Sequence, residues 1–363
     1  MTRDSKIILL STSLLLMLGV VMIYSSSAIY AHGSYEDSLF FVKRHLLFLF
    51  VGLIVALACM SVKIERIREV IRPVMIGMII LLILVLVPGI GAVAGGARRW
   101  IKIFGFGFQP SEAAKIILIL YMSDLIVRKG KMIKDLKRGF IPSFFVIGLM
   151  GGLVLLEPDM GTFVAILFIG TVMLFSSGVK LKHLFSVGLC MIPALVLAVK
   201  SKPYRVKRIF TVINPWADAQ GAGFQLIQSF IALGSGGILG VGLGESRQKL
   251  FYLPESHTDF IFSIIGEELG FLGAASTLIL FSALIWYSFR ISLKIKERFS
   301  SLAVFGVATM LAFEVIVNVG VSTGVLPTKG LPLPFISYGG SSLVCHLAAI
   351  GLVLNAARRA EYK

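Results

Sequence analysis

The chain is poor in charge, in cysteine and in polar linkers. Only 15% of its 363 residues are charged, against 57% hydrophobic, whereas soluble domains carry about 25% charge. The three cysteines, Cys59, Cys190 and Cys345, all lie in apolar runs. An odd count there argues against disulfides and metal clusters, and they read as small core residues. There is no HExxH, no paired-cysteine motif and no GxSxG elbow, which removes the common zinc-hydrolase and serine-nucleophile designs. Two glycine patterns, "GIGAVAG" at 89 and "GVGLG" at 240, neither follow a soluble strand nor lead to an acidic ribose partner. They are turn and packing glycines and do not form a dinucleotide site. Internal repeats and low-complexity tails are also missing.

What the chain does have is long apolar runs. About 20 apolar residues cross a bilayer core, and ten runs come near that length: 7 to 31, 45 to 62, 74 to 93, 111 to 127, 141 to 156, 161 to 178, 184 to 199, 260 to 289, 302 to 325 and 337 to 357. The expectation is an all-α polytopic membrane protein, one domain over residues 1–363, with a long outer loop at about 200–258. Arg3 and Lys6 precede a run ending in "SSSAIYA". That is the layout of a cleavable signal, but the run is long and further spans follow, so it reads as a retained anchor.

The formal charge of +16 follows the membrane topology. With a cytoplasmic N-terminus, ten spans return the C-terminus to the same side, and 21 of the 35 Lys and Arg fall on cytoplasmic segments, as the positive-inside rule requires. Thirteen fall outside, seven of them in the loop between 200 and 258, and Lys115 lies within a span. The outer face is also dense in glycine and proline, in "GIGAVAGGARRWIKIFGFGFQPSE", "EPDMGT" and "LPTKGLPLPFISYGGSS". Such backbone belongs inside protein or along a cavity.

Ionisable groups near or within spans are costly unless paired or wet. Here they are Glu112 and Lys115, Glu157 and Asp159, Asp259, Glu267 and Glu268, and Glu314. Glu112 and Lys115, three apart on one helix, can pair with each other. Glu157 and Asp159 flank Pro158 at a hairpin, where they either cap the next helix or meet a metal or substrate. Asp259 follows a proline-containing loop and heads a long apolar helix. It either caps that helix or acts as a base, and as a base it needs desolvation or nearby charge to lift it from about 3.9. Glu255 and His257 are positioned to orient it. Arg98, Arg99, Lys102, Arg205, Lys207, Arg208, Arg247, Lys249 and Lys329 form an outward basic set whose partner is an anionic lipid headgroup or a pyrophosphate.

In that order, "GARRWI", "FQPSE", "EPDMGT", "PYRVKRI", "YLPESHTDFIFSIIGEELGFLG" and "LPLPFISYGGSS" resemble the SEDS proteins of shape, elongation, division and sporulation, almost end to end. "GVVMIYSSSAIYA" and "SRQKLFYLPE" are more similar to the division and sporulation members than to the elongation member. The resemblance implies ten transmembrane helices and a peptidoglycan glycosyltransferase that polymerises lipid II beside a class B penicillin-binding protein, with a divalent cation, Mn²⁺ or Mg²⁺. It further implies Asp259 as catalytic carboxylate, with Asp259, Glu157 and Asp159 as candidate cation ligands. Arg98, Arg99, Trp100, Lys102, Arg205, Arg208, Glu255, His257, Lys329 and Ser341 become candidate substrate contacts. A lipid II flippase and a non-catalytic scaffold are the rival readings.

Overall fold

The computed structural model describes residues 2–360 apart from 95, 104, 201, 202, 251 and 329; sixteen further side chains, most of them between 187 and 209 and including those of Cys190 and Arg205, also lie outside the described set. Described residues form helices α1 (Arg3–Tyr35), α2 (Phe40–Ser61), α3 (Ile64–Leu86), α4 (Pro110–Lys129), α5 (Ile141–Leu156), α6 (Met160–Ser176), α7 (Leu181–Lys200), α8 (Pro203–Ile213), α9 (Phe224–Ser235), α10 (Ile261–Lys294), α11 (Arg298–Ser322) and α12 (Gly340–Ala360). Seven helical segments among the described residues are long and apolar enough to cross a membrane: α1, α2, α3, α5 together with the helical turn before it (Leu136–Leu156), α10, α11 and α12. The chain is a polytopic, mainly helical membrane protein.

Helix boundaries follow local chemistry. Thr2 caps α1 by accepting from the Ser5 amide at 3.2 Å, Pro110 opens α4 where no amide partner is needed, and Glu297 caps α11 through Phe299 and Ser300. The bundle centre is α11, 72% buried over its most apolar stretch, and α12, 83% buried. α12 lies along α2 because glycines permit it: a Cβ on Gly351 would collide with the Ala56 carbonyl, and one on Gly52 with Leu347.

Two expectations need correction. The third run was expected at 74 to 93, but α3 ends at Leu86. The glycine-rich stretch after it is ordered into a three-stranded antiparallel sheet, β1 (Gly91–Ala94), β2 (Ala97–Ile103) and β3 (Phe106–Phe108), so the chain is not all-α. Gly96 and Gly105, both at positive φ, make the hairpin turns, and the alternation in "ARRWIKI" fits a strand.

The second correction concerns α10, which is broken at Gly270 (φ 67°, ψ −165°). The segment after α9 inserts there: Val241 N donates to Glu267 O (3.0 Å), Gly242 N to Glu268 O (3.1 Å), Phe271 N to Gly237 O (2.9 Å) and Leu272 N to Ile238 O (3.2 Å). These bonds replace the helix bonds that the break removes. The glycine run after α9 is therefore fixed as a strap against α10.

Candidate active site

Asp259 precedes α10, and residues from distant parts of the chain hold it there. Asn318 on α11 donates through Nδ2 to Asp259 O (3.0 Å) and to Leu331 O (2.9 Å), joining the two loops. Ser337 Oγ donates to Thr258 O (2.5 Å) and Tyr338 N to His257 O (2.9 Å). The Asp259 carboxylate lies against Gly330, where a Cβ would stand 3.2 Å from Oδ2. Burial pushes its pKa up to about 7, with the Glu255 charge adding to the effect, Arg208 opposing it, Asp159 adding and Arg99 opposing. The desolvation that a carboxylate base requires is present.

The α5–α6 hairpin faces this loop. Asp159 caps α6, accepting from Thr162 N (3.1 Å) and Thr162 Oγ1 (3.0 Å), and also from Gln109 Nε2 (3.2 Å). Arg99 holds the hairpin through Nε to Glu157 O (3.2 Å) and Nη2 to Pro158 O (2.6 Å), with Nη1 4.0 Å from Asp159. Both Glu157 carboxylate oxygens are buried without a hydrogen-bond partner. Burial, followed by the Asp159 charge and opposed by Arg99, raises its pKa to about 8. Arg208 on α8 donates to Thr328 O (3.1 Å), beside the Asp259 loop.

The expected basic set divides. β2 is bulged here, with adjacent β1 residues Ala92 and Val93 facing Trp100 and Arg98 and Arg99 left between them, and the basic residues take separate tasks: Arg99 reaches the α5–α6 hairpin. Arg98 caps the end of α3 through Leu86 O (3.1 Å), Trp100 covers Gly107, and Lys102 is exposed, without an ion pair among the described residues. Ser341 accepts from Gln109 N (3.0 Å) and donates to Gly107 O (3.2 Å), tying the sheet to α12. His257 does not orient Asp259: it lies among Tyr30, Phe41 and Tyr338, with ring centroids 4.8 to 6.0 Å away, and burial lowers its basicity. Glu255 accepts from Thr258 Oγ1 (2.7 Å) and is exposed. Lys329 and the Arg205 side chain lie outside the described residues.

The remaining ionisable groups expected near or within spans, Glu112, Lys115, Glu267, Glu268 and Glu314, are hydrogen-bonded or paired. Lys115 donates to both Glu112 oxygens (3.1 Å) and to Glu314, which also meets His346 Nε2 (2.6 Å). The expected Glu112–Lys115 pair is thus part of a larger buried network across α4, α11 and α12. Lys249 serves Glu268 (2.9 Å), Gly244 O (2.5 Å) and Ser25 of α1 (3.2 Å), while Glu267 accepts from Ser246 and from Arg247 N (3.0 Å). Asp259, Glu157 and Asp159 do not converge into a three-ligand metal site. Among the described residues, no three His, Cys, Asp or Glu side chains do.

Sequence reading singled out neither Asn318 nor Gln109. Asn318 carried a usable signal, an amide in the apolar run of α11; Gln109 stood only within the family-like stretch "FQPSE", and its distant partners Asp159 and Ser341 could not be read from it.

With the fold and this geometry established, comparison with known proteins is decisive. The FtsW/RodA/SpoVE model, described as a cell cycle protein, matches residues 5–362. The chain belongs to this family. It is 42% identical over 361 residues to Stage V sporulation protein E of Bacillus subtilis (strain 168), covering 99% of each chain. It is 43% identical over 353 residues to a probable peptidoglycan glycosyltransferase FtsW of Geobacter sp. (strain M18), covering 97% of this chain and 96% of the relative. Among solved structures it resembles a chain of a peptidoglycan synthase complex that coordinates polymerization and crosslinking, with TM-score 0.80, 32% identity and 98% of each chain covered. The rod shape determining protein RodA of Thermus thermophilus follows at TM-score 0.70 and 29% identity, covering 97% and 95%.

Proposed function

We propose that this protein is a peptidoglycan glycosyltransferase that polymerises lipid II at the outer face of the cytoplasmic membrane, in division or sporulation, beside a class B penicillin-binding protein. In this reading α1 to α7 and α10 to α12 make ten crossings, both termini are cytoplasmic, and Asp259 faces outward. The observation that carries it is the desolvated carboxylate of Asp259 under the influence of Arg99 and Arg208, in a chain that matches its family over nearly its whole length.

Chain extension needs an acceptor hydroxyl to attack an anomeric carbon while a lipid pyrophosphate leaves. Asp259, with a pKa raised to about 7, is matched to accept the hydroxyl proton at neutral pH. The new glycosidic C–O bond forms as the bond from that carbon to the pyrophosphate oxygen breaks. One displacement inverts the carbon and requires no enzyme nucleophile. Arg99, Arg208 and Lys329 supply positive charge for the leaving group, and the Arg99-held hairpin of Glu157 and Asp159 sets the approach to Asp259. Without a three-carboxylate cage, the donor set suits an ion of the Mg²⁺ type, held by Asp259 and substrate phosphates, which would stabilise charge on the leaving group.

The test is polymerisation of purified lipid II by the purified protein with its transpeptidase partner, in Mg²⁺ or Mn²⁺. Glycan strands are the expected product. No polymer, with lipid II crossing the bilayer of reconstituted vesicles, would replace this reading with a flippase.

A further inference from the structure

At the end of the bundle opposite Asp259, three arginines converge on one buried carboxylate. Asp124 of α4, with its side chain 1% exposed, accepts from Arg128 Nε (2.7 Å), Arg68 Nε (3.1 Å) and Arg72 Nε (3.3 Å). Each guanidinium spends its Nε on Asp124 and has no other hydrogen bond among the described residues. The side chains remain 39% (Arg68), 56% (Arg72) and 32% (Arg128) exposed. Guanidiniums stay charged, so the cluster holds two positive charges in excess, with its outward N–H groups presented in fixed positions.

An apolar crevice begins directly beside it, lined by Ile64, Ile67, Leu120, Phe299, Val304 and Leu352 from α3, α4, α11 and α12. Ile64 and Leu120 lie one helical turn from Arg68 and Asp124, and the Arg68 guanidinium stands 6.0 Å from the Phe299 ring centroid. Guanidinium forks at the membrane edge, beside α3, whose apolar residues Val70, Val74 and Ile76 are exposed, are complementary to a phosphodiester headgroup with its acyl chain. The surrounding ends of the helices carry the chain's basic segments, which places them at the cytoplasmic leaflet, where anionic lipids are enriched.

We infer that Arg68, Arg72 and Arg128, fixed by Asp124, form a binding site for an anionic phospholipid of the inner leaflet. The site is independent of the transferase reading. The exposed apolar residues favour a lipid over a soluble anion, and the carboxylate that spaces the arginines favours a defined headgroup over a diffuse basic surface.

The test is native mass spectrometry of the full-length protein released from nanodiscs containing phosphatidylglycerol and phosphatidylethanolamine. Three proteins are compared: wild type, Arg68→Gln/Arg72→Gln/Arg128→Gln, and the charge-matched control Lys131→Gln/Lys134→Gln/Lys137→Gln. Wild type and control should retain phosphatidylglycerol over phosphatidylethanolamine, and the arginine variant should lose that preference by roughly tenfold. Arg72→Gln alone, at the most exposed of the three, gives a graded loss if the triple variant does not fold. Equal loss in both triple variants would reduce the effect to general charge and overturn the site. Displacement of the lipid by millimolar glycerol phosphate would overturn the assignment to a lipid.

Discussion

Asp259 and Glu157 are both carboxylates held above their ordinary range, and each has its own pH signature. Glu157 is raised from 4.5 to about 8. Between those values the folded chain keeps a proton that the unfolded chain has released, so its contribution to stability is full below the lower value and is lost as pH rises through the upper one. Melting temperature in detergent should therefore fall between pH 5 and 8, with a slope of up to about 1.4 kcal/mol per pH unit from this group, and Glu157→Gln should flatten it. An equally steep fall in the variant would remove Glu157 as the cause. For Asp259, polymerisation should rise with pH through about 7 as the base ionises. Glu255→Gln removes a negative neighbour and should move that limb to lower pH; a limb that stays in place would mean that Glu255 does not tune the base. Asp259 stood out in the sequence as a charge heading an apolar helix, and the family resemblance singled it out from the capping alternative. Its supports were not legible, since Asn318, Gly330 and Arg99 reach it from distant segments. The split of Arg98 from Arg99 falls at a bulge in β2, which strand alternation alone does not predict.

Among the elements, the broken α10 carries the most specific expectation. Gly270 has positive φ and close backbone neighbours from the strap. Gly270→Ala should loosen the strap, read as faster amide exchange at Val241, Gly242, Phe271 and Leu272 with α11 unchanged; uniform exchange across both helices would show global loosening instead. Lys249→Met strands the buried Glu268 charge and should cost about 3–5 kcal/mol, whereas Lys249→Met/Glu268→Met should recover much of it. Chemical denaturation of the two variants in detergent distinguishes these cases, and equal losses would mean that the pair is not coupled. Helices were legible from run length because bilayer thickness sets it. The sheet between α3 and α4 and the insertion at Gly270 were not, because both depend on backbone pairing between glycine-rich segments that carry no side-chain periodicity.

Over the whole molecule, the ten apolar runs correspond in position to ten of the helices, and the basic residues separate the two ends of the bundle. Long-range assembly was hidden: Ser25 of α1, Lys249 of the strap and Glu268 of α10 meet across more than 200 residues of sequence, which composition alone does not reveal. The central claim is that this assembly presents Asp259 as the base of a glycosyl transfer. Its most direct test is steady-state polymerisation of lipid II with the partner transpeptidase, comparing wild type, Asp259→Asn and Ser276→Ala, the last at an exposed position on α10. The account predicts that Asp259→Asn lowers kcat by about 10²- to 10⁴-fold with KM little changed, while Ser276→Ala matches wild type. An Asp259→Asn enzyme as active as Ser276→Ala would contradict it.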